Sequence, residues 1–455
     1  MGLDNGTNCQ KAIYDEIERI FVQLSLGHYP ECSSFAILGA AGVGKSWLTS
    51  EIVKLANSMR LKCYLSTPTH KAVRVLNEMI ENLGLKNSYR VQSGTIHKFL
   101  NLKLVNGYED ENDMNPEKQR LVKNTMTPPE GLANCDILFV DEASMVDNNL
   151  YELTMHEMGE RFRIVIFIAD YFQLPPVGGN LSPIFYQSDK HRIFQLLETV
   201  RQKAGSHIIN RAAWLKDYIA NQNFPANILD LFISHDEVTI YKSSDPNEHA
   251  AFVSQYFNDV DHTKIVGTYT NKLVDEYNNY IRNTLLNNPT DIVSVGERII
   301  IQTPYEGADG NIIFTSNQEI TVTKCVLKDS ASLKYKVFRI TDEDGNHANI
   351  LHQDEIERYN EELESKLQLA KALNHMPDKK ARSRAWSDYF EFMNKYLNFK
   401  SAYASTIHKL QGSTYENCYL DLRTVPHFYP RNPDLMCRLL YVSITRPSNK
   451  LYILV

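Results

Sequence analysis

The sequence predicts an α/β fold in two units of alternating strands and helices, the first with a phosphate-binding loop and the second without one. Three observations carry that reading. An apolar run at 35–38 leads into Gly39-Ala40-Ala41-Gly42-Val43-Gly44-Lys45-Ser46 and then into a helical pattern at Leu48, Ile52, Val53 and Leu55. A second apolar run, at 137–140, reads as a buried parallel strand and ends in Asp141-Glu142, at the carboxyl end where open α/β sheets bind ligands. Later runs, KIVGTYTN from Lys264, YENCYLDL from Tyr415 and KLYILV from Lys450, repeat the strand signature with no phosphate loop. At 455 residues the chain is also long for one core.

Composition removes several classes. Apolar residues make up 43% and charged residues 23%, ordinary for a globular chain in water. The longest apolar stretches, such as FRIVIFIA at 162–169, fall far short of a membrane span. The N-terminus, MGLDNGTNCQ, lacks the basic and apolar regions of a signal peptide and fits a myristoylation pattern poorly. No two cysteines have metal-ligand or redox spacing. Several lie in apolar runs (KCYL, NCYL), as small core residues of a reducing compartment do. The expectation is a cytoplasmic protein with no membrane partner. A net charge of −7 argues against a surface coated by nucleic acid, but a local basic groove depends on arrangement and not on the sum.

The glycine-rich stretch matches GxxxxGK[ST] between strand and helix. Its glycines let backbone N–H groups turn inward around phosphate oxygens at a helix N-terminus. Lys45 supplies charge to the β- and γ-phosphates of ATP, and Ser46 offers its hydroxyl to Mg2+. The competing reading is a glycine-rich turn that binds nothing. Asp141 would hold Mg2+, and Glu142 would orient or deprotonate the attacking water. Two acids at the end of a buried strand are costly without a cation nearby, which favours chemistry over packing. Asp170 and Gln173 follow another apolar run and fall at a strand end beside the same site, where Gln173 could touch the γ-phosphate or the water. Arg201 and Arg446 lie outside the first unit in sequence. An arginine reaching the γ-phosphate from a second domain would make hydrolysis depend on domain closure, whereas the bland alternative is a surface salt bridge. The phosphate loop alone does not say what hydrolysis drives.

The motifs, in order, resemble the superfamily 1B helicases, the RecD-like and phage Dda-like group. NCQKAI around Gln10 resembles the adenine-reading glutamine motif. STPTHKAV at 66–73 resembles motif Ia, with Pro68, Thr69 and His70 as DNA contacts. SGTIHKFL follows at the spacing of the next DNA-contacting motif, and VDEASMVD is the family form of the Mg2+ motif. IADYFQLPPVGG resembles motif III, with Ala169-Asp170 where Gly-Asp is usual. LLETVRQ resembles motif IV, and TYTNKLVDEYNNYIR the opening of the second motor domain, with Thr270 and Asn271 as contacts. YASTIHKLQGSTYENC resembles motif V, in which Gly412 counts with the nucleotide residues. LLYVSITRPSNKLYIL resembles motif VI, with Arg446.

The stretch TIHK occurs twice, at 95–98 and 406–409. Chance alone produces on the order of one such match, so the identity is no internal repeat. Each copy falls on one of the two α/β units. Thr95 and His97 in the first, and Thr406 and His408 in the second, are read as paired grips on DNA phosphates, since a hydroxyl and an imidazole bond phosphate oxygens without reading bases. The alternative is a helix start with no ligand. Phe99, Tyr269 and Tyr403 are candidates for base stacking, though a core role competes for each.

Two insertions interrupt the units. Residues 101–134 are polar, with an Asn106-Gly107 turn between short strand-like runs. The resemblance implies a hairpin pin at the strand junction, and the alternative is a surface loop. Residues 297–400 begin β-rich, with a hairpin signal at Asp344-Gly345, and end helical. Ile356, Leu363 and Leu367 share one face and Trp386, Tyr389, Phe390 and Met393 another, with a bend at 376–384. The resemblance implies an SH3-like β-barrel with a helical projection. The expected division is therefore two RecA-like P-loop NTPase domains, 1–100 with 135–200 and 201–296 with 401–455, carrying the insertions 101–134 and 297–400.

The expectation is a monomeric ATP- and Mg2+-dependent DNA helicase acting on single-stranded DNA and on ss/ds junctions. The resemblance adds 5′-to-3′ movement, a role in replication or recombination beside single-strand-binding or replication proteins, and a phage source in a bacterial cytoplasm. The rivals are a single-stranded DNA translocase that strips proteins with little unwinding, a P-loop nucleotide switch, and a DNA-binding module without activity. No compact acidic cluster beyond the Mg2+ motif suggests a nuclease.

Overall fold

The computed structural model describes all residues except 1, 2, 4, 31, 32, 107–118, 124–133, 177–179, 188, 199–206, 308–311, 315, 330–333 and 375–377. The chain divides into two compact units, residues 1–262 with 407–455 and residues 263–406.

In chain order the first unit begins with α1 (Asn8–Ser25), β1 (Ser34–Gly39), α2 (Lys45–Ser58), β2 (Cys63–Thr67), α3 (His70–Asn82), β3 (Val91–Thr95), the single turn α4 (Ile96–Phe99), β4 (Leu102–Asn106), β5 (Gln119–Lys123), β6 (Ile137–Val140), α5 (Asn148–His156), β7 (Ile164–Ala169), β8 (Arg192–Leu196), α6 (His207–Asn221), β9 (Val238–Tyr241) and α7 (Pro246–Asn258). Six of these strands form a parallel sheet in the order β3-β2-β6-β7-β1-β8. Every residue of β6 and β7 is buried, as strands covered on both faces must be. Alternate side chains feed two cores. Ile137, Phe139, Ile166 and Ile168 pack with α1 and α2 through Ile17, Phe21, Leu48 and Ile52. Leu138, Val140, Val165 and Phe167 pack with Phe99 and Tyr151. Burying each such side chain contributes about 1.5–3 kcal/mol. Register pairs Leu38 with Ala169 and Val140 with Phe167, so Gly39, Asp141 and Asp170 leave the sheet along one edge.

The first insertion differs from expectation. β4 ends at Asn106 but pairs antiparallel with β5, Asn106 opposite Gln119, and not with the run just after Gly107. The intervening acidic and Asn-rich residues are poor strand formers, whereas QRLVK supplies Leu121 and Val122. Gly107 itself lies outside the described residues.

The second unit holds β10 (Lys264–Thr268), α8 (Asn271–Leu285), β11 (Arg298–Ile301), β12 (Tyr305–Glu306), β13 (Ile312–Phe314), β14 (Glu319–Thr321), β15 (Lys324–Lys328), β16 (Val337–Thr341), β17 (His347–Leu351), α9 (Ile356–Leu373), α10 (Lys379–Met393), β18 (Phe399–Ser401) and β19 (Ala404–Thr406). β10 and β19 pair in parallel. β14-β11-β18, β12-β13 and β15-β16-β17 are antiparallel groups around one core of Ile299, Ile301, Phe314, Ile320, Phe338, Ile340 and Ile350. The Asp344-Gly345 turn joins β16 to β17, with Gly345 at φ +85°. α9 and α10 pack through Tyr359 stacked on Phe392, ring centroids 4.7 Å apart, while Ile356 and Leu363 pack against the same cluster. The bend is shorter than expected. Asp378 caps α10 by accepting from the N–H groups of Lys380 and Ala381, so the basic residues 379–384 lie in the helix.

The chain then returns to the first unit with β20 (Tyr415–Asp421), the turn α11 (Val425–Phe428), α12 (Pro433–Ile444) and β21 (Pro447–Leu454). β20, β21 and β9 pair in parallel, and α12 is buried on every side from Met436 to Ile444. No helix among the described residues is long and apolar enough to cross a membrane.

Candidate nucleotide site and nucleic-acid contacts

The loop between β1 and α2 has Gly42 and Gly44 at φ +83° and +82°, the left-handed region where a side chain is strained. Gly44 caps α2 with no side-chain bond, which leaves the first N–H groups of the helix for an anion. A Cβ on Gly39 would stand 2.6 Å from Val43 Cγ2, so glycine lets buried Val43 fold back over β1. Lys45 Nζ donates to the carbonyls of Gly39 (2.7 Å) and Ala40 (2.9 Å) and lies 3.9 Å from Asp170 Oδ2. Ala40 and Ala41 are half-buried, and Ser46 is exposed in the first turn of α2. Gln10 is buried. Its Nε2 donates to Val43 O at 3.1 Å, and its Oε1 accepts the Thr7 N–H in a capping box at the start of α1. The amide thus braces the loop from below.

Asp141 and Glu142 emerge from β6. Asp141 Oδ1 accepts the Glu142 N–H at 2.8 Å, and Glu142 sits at φ +51°, rare for a residue with a side chain and costly to hold. Burial, then the neighbouring Asp141 charge, push the Glu142 carboxyl up to about 7, against the pull of Arg446 and Lys45. Burial also raises Asp141. Two acids held this way favour a cation between them and an anion-bearing ligand. Ser46 and Asp141 have the hard oxygen donors that Mg2+ takes when phosphates and water complete its shell. Among the described residues no three His, Cys, Asp or Glu side chains cluster so as to hold a metal ion.

The C-terminal segment completes the site. Gln411 Nε2 donates to Gln173 Oε1 at 2.9 Å and reaches Ser144 Oγ at 3.4 Å. Gly412, at φ +73°, passes so close that a Cβ there would lie 3.9 Å from Glu142 Oε1. Arg446 is buried, with its guanidinium on the carbonyls of Val442 and Ser413 and on Thr445 Oγ1. Tyr441 accepts the Ala41 N–H at 2.7 Å and donates to Asp170 Oδ2 at 2.9 Å. Burial and the Asp170 charge push its hydroxyl well up, so it stays a donor. Arg438, paired with Asp434, donates to the carbonyls of Tyr171 and Gln173. The structure therefore brings together Lys45, Asp141, Glu142, Gln173, Gly412 and Arg446. Arg201 lies outside the described residues. Tyr441, Arg438 and Gln411 escaped the sequence reading. The available signal was Asp434, Arg438 and Tyr441 at i, i+4 and i+7 in the otherwise apolar α12.

The AAA domain family matches residues 29–179, and the UvrD-like helicase C-terminal domain family matches residues 401–454. The chain is 26% identical to the ATP-dependent DNA helicase dda of Enterobacteria phage T4, over 90% of this chain and 92% of that protein. It is 29% identical to the ATP-dependent RecD2 DNA helicase of Deinococcus radiodurans, over 45% of this chain and 24% of that protein. An uncharacterised protein of Acanthamoeba polyphaga mimivirus is 22% identical over 92% of this chain and 94% of its own length. The chain is thus similar to ATP-dependent DNA helicases of superfamily 1B over most of its length.

The candidate DNA contacts fall into two sets of threonines, one in each unit. In the first unit, Thr67 of β2 is level with Thr95 of β3, so Thr69 and Thr95 stand at adjacent strand ends. In the second, Thr268 of β10 is level with Thr406 of β19, so Thr270 and Thr406 do the same. Thr69, Thr95 and Thr270 cap α3, α4 and α8, accepting from Ala72, Lys98 and Leu273 N–H. Capping uses a lone pair and leaves each hydroxyl proton free for a phosphate oxygen. Pro68 is half-buried and Asn271 exposed. The His70 side chain lies outside the described residues. His97 is half-buried, and partial desolvation holds both His97 and His408 below the usual imidazole value, which favours neutral rings. Phe99 does not belong in this group. It is 1% exposed, 4.6 Å from the Tyr64 ring, with the Arg161 guanidinium over its face, and has no face for a base. Following a capped threonine, its side chain turns under the sheet into the core. Tyr403 is also buried.

Proposed function

We propose that the chain is an ATP-dependent DNA helicase that moves along single-stranded DNA, 5′-to-3′, in replication or recombination. The observation that carries the reading is the convergence of two distant stretches of chain, residues 39–46, 141–142 and 173 with residues 411–412 and 446, which we read as a nucleotide site. Both stretches lie in one compact unit here, and a motor would work by loosening and remaking their contact. Lys45 and the N–H groups of the loop bind the β- and γ-phosphates, and Ser46 and Asp141 hold Mg2+, which neutralises phosphate charge when bound. Glu142, raised by burial so that protonated and charged forms are comparable near neutral pH, becomes a competent base once positive charge lowers it, and takes the proton of the attacking water. Gln173 orients that water. Arg446, and Arg201 with it, stabilises charge on the transferring phosphoryl group. The threonines and histidines at 69–70, 95–97, 270 and 406–408 grip DNA phosphates in alternation.

The β groups of the second unit are read as an SH3-like barrel with α9 and α10 as its projection, and β4 and β5 as the base of a strand-separating pin. The domain limits 1–100 with 135–200, 101–134, 201–296 with 401–455, and 297–400 follow that reading. The chain is taken to work as a cytoplasmic monomer at ss/ds junctions, alongside single-strand-binding or replication proteins.

The deciding experiment is strand separation with ATP and Mg2+ on duplexes with a 5′ or a 3′ single-stranded tail, with Lys45→Ala as control. Unwinding of the 5′-tailed duplex alone, lost in the variant, is expected. Unwinding from the 3′ tail alone would reverse the polarity. DNA-stimulated hydrolysis without strand separation would replace the helicase by a translocase, and hydrolysis indifferent to DNA would leave a nucleotide switch.

A further inference from the structure

Tyr441 belongs to α12, yet both groups its hydroxyl serves belong to the nucleotide site. The Asp170 side chain is wholly buried. Its Oδ1 accepts the Phe172 N–H at 3.0 Å, and its Oδ2 accepts the Tyr441 hydroxyl at 2.9 Å. The Lys45 ammonium stands 3.9 Å from that same oxygen, while its own bonds go to the Gly39 and Ala40 carbonyls. A buried carboxylate one donor short draws in the nearest cation. Here that cation is Lys45, about an ångström from a contact ion pair, and a lysine locked onto Asp170 is withdrawn from phosphate. The hydroxyl meets a second need in the same place. The Ala41 N–H, inside the loop, takes Tyr441 as its acceptor at 2.7 Å.

We propose that Tyr441 is a positioning residue of the nucleotide site: its hydroxyl satisfies Asp170 and the Ala41 N–H together, and so keeps Lys45 on the phosphate loop, free to meet a nucleoside triphosphate. The inference rests on the reading of this site as nucleotide-binding. The same helix supports the role. Arg438 fastens it to the carbonyls of Tyr171 and Gln173, so α12 is tied to the turn that follows β7 as well as to the loop. Movement of α12 would then release Asp170 onto Lys45 and weaken the hold on nucleotide.

The test is equilibrium binding of the fluorescent nucleotide mant-ADP with Mg2+ and without DNA, on wild type, Lys45→Ala, Tyr441→Phe, Asp170→Asn and the double variant. Tyr441→Phe keeps the ring and its packing on Phe172, 5.9 Å between centroids, and removes only the hydroxyl. It is expected to weaken binding roughly tenfold, the scale of one buried hydrogen bond at a charged group, with kcat at saturating ATP within about threefold of wild type. In the Asp170→Asn background, with no carboxylate competing for Lys45, the same change is expected to cost less than about twofold. Wild-type affinity in Tyr441→Phe, or an equal loss in both backgrounds, would overturn the positioning role while leaving the nucleotide site intact. Absence of mant-ADP binding by the wild type would remove the site and the inference with it.

Discussion

Gln411 donates its side-chain amide to the side-chain carbonyl of Gln173, 2.9 Å away and 238 positions earlier in the chain. Both are buried, so the bond fixes which end of the Gln173 amide faces the nucleotide. With its carbonyl held by Gln411, the Gln173 NH2 is left to donate toward phosphate or water. Gln411→Ala is therefore expected to lower kcat by about tenfold, the value of one positioning hydrogen bond, with little change in KM for ATP. Steady-state hydrolysis at saturating single-stranded DNA separates the two constants. A change in KM alone would assign Gln411 to binding instead.

Glu142→Gln isolates the base from the binding site. Glutamine matches glutamate in size and meets the same backbone strain at φ +51°, so the loop keeps its shape. Loss of a general base typically costs about 10²–10⁴-fold in rate. Hydrolysis should fall by that order while nucleotide affinity stays near wild type or improves, since one of two facing carboxylates is neutralised. Equal loss of binding and turnover would show that Glu142 shapes the site and does not act on water.

Phe99→Ala tests the correction at that position. A phenylalanine this buried should cost about 3–5 kcal/mol on truncation. The expected result is a lower unfolding midpoint in urea, with DNA affinity unchanged per folded molecule. A variant with wild-type stability and weakened single-stranded DNA binding would return Phe99 to the DNA surface.

Asn278 carries a comparable load in the second unit. Its Oδ1 accepts the N–H groups of Tyr403 and Ala404 at 3.0 and 2.8 Å, and its Nδ2 donates to Ala404 O at 3.3 Å. One buried side chain thus tethers α8 to the strand that ends in Thr406. Asn278→Ala strands three backbone groups at about 1–3 kcal/mol for each left unsatisfied. Hydrogen exchange at the Ala404 amide should accelerate well before exchange in β16, whose own ladder is untouched. Uniform acceleration across the unit would mean global unfolding and would discard the local tether.

These residues mark what the sequence could and could not announce. Gly39 to Ser46 and Asp141-Glu142 were legible because their chemistry is written in consecutive positions next to an apolar strand. Thr69 and Thr270 were singled out only as DNA contacts, and their capping of α3 and α8 was not read from the sequence. Asn278, Gln411 and Tyr441 act through partners more than a hundred positions away, and no local period reports such a pair. Phe99 misled because its neighbours in sequence, Thr95 and His97, face the strand end, while a single helical turn carries Phe99 to the opposite side. The β4–β5 pairing shows the same limit: a turn signal at Asn106-Gly107 was read, but the partner strand lay beyond an acidic stretch.

His191 offers a pH test independent of catalysis. Its Nδ1 lies 2.6 Å from Ser34 Oγ and its Nε2 3.0 Å from Tyr151 OH, with Phe167 edge-on at 5.5 Å. A neutral ring donates to one hydroxyl and accepts from the other, while an imidazolium would need both to accept. Burial, then the charge of Lys190, lower its pKa, with Asp189 pulling weakly the other way. The unfolded chain therefore binds a proton here more readily than the fold does, so stability rises with pH across the window that ends near the unfolded value, and is lost as pH falls below it. One such group contributes a slope of at most about 1.4 kcal/mol per pH unit below roughly pH 6.5. His97 and His408 shift the same way, so the drop with pH is compared between the wild type and a variant that leaves both of them in place. His191→Gln keeps a donor and an acceptor but cannot titrate. Urea unfolding at pH 7.5 and 5.5 should show a smaller drop in the variant than in the wild type, even if the variant is less stable at both. Parallel drops would place the titration elsewhere and show that His191 is protonated at little cost.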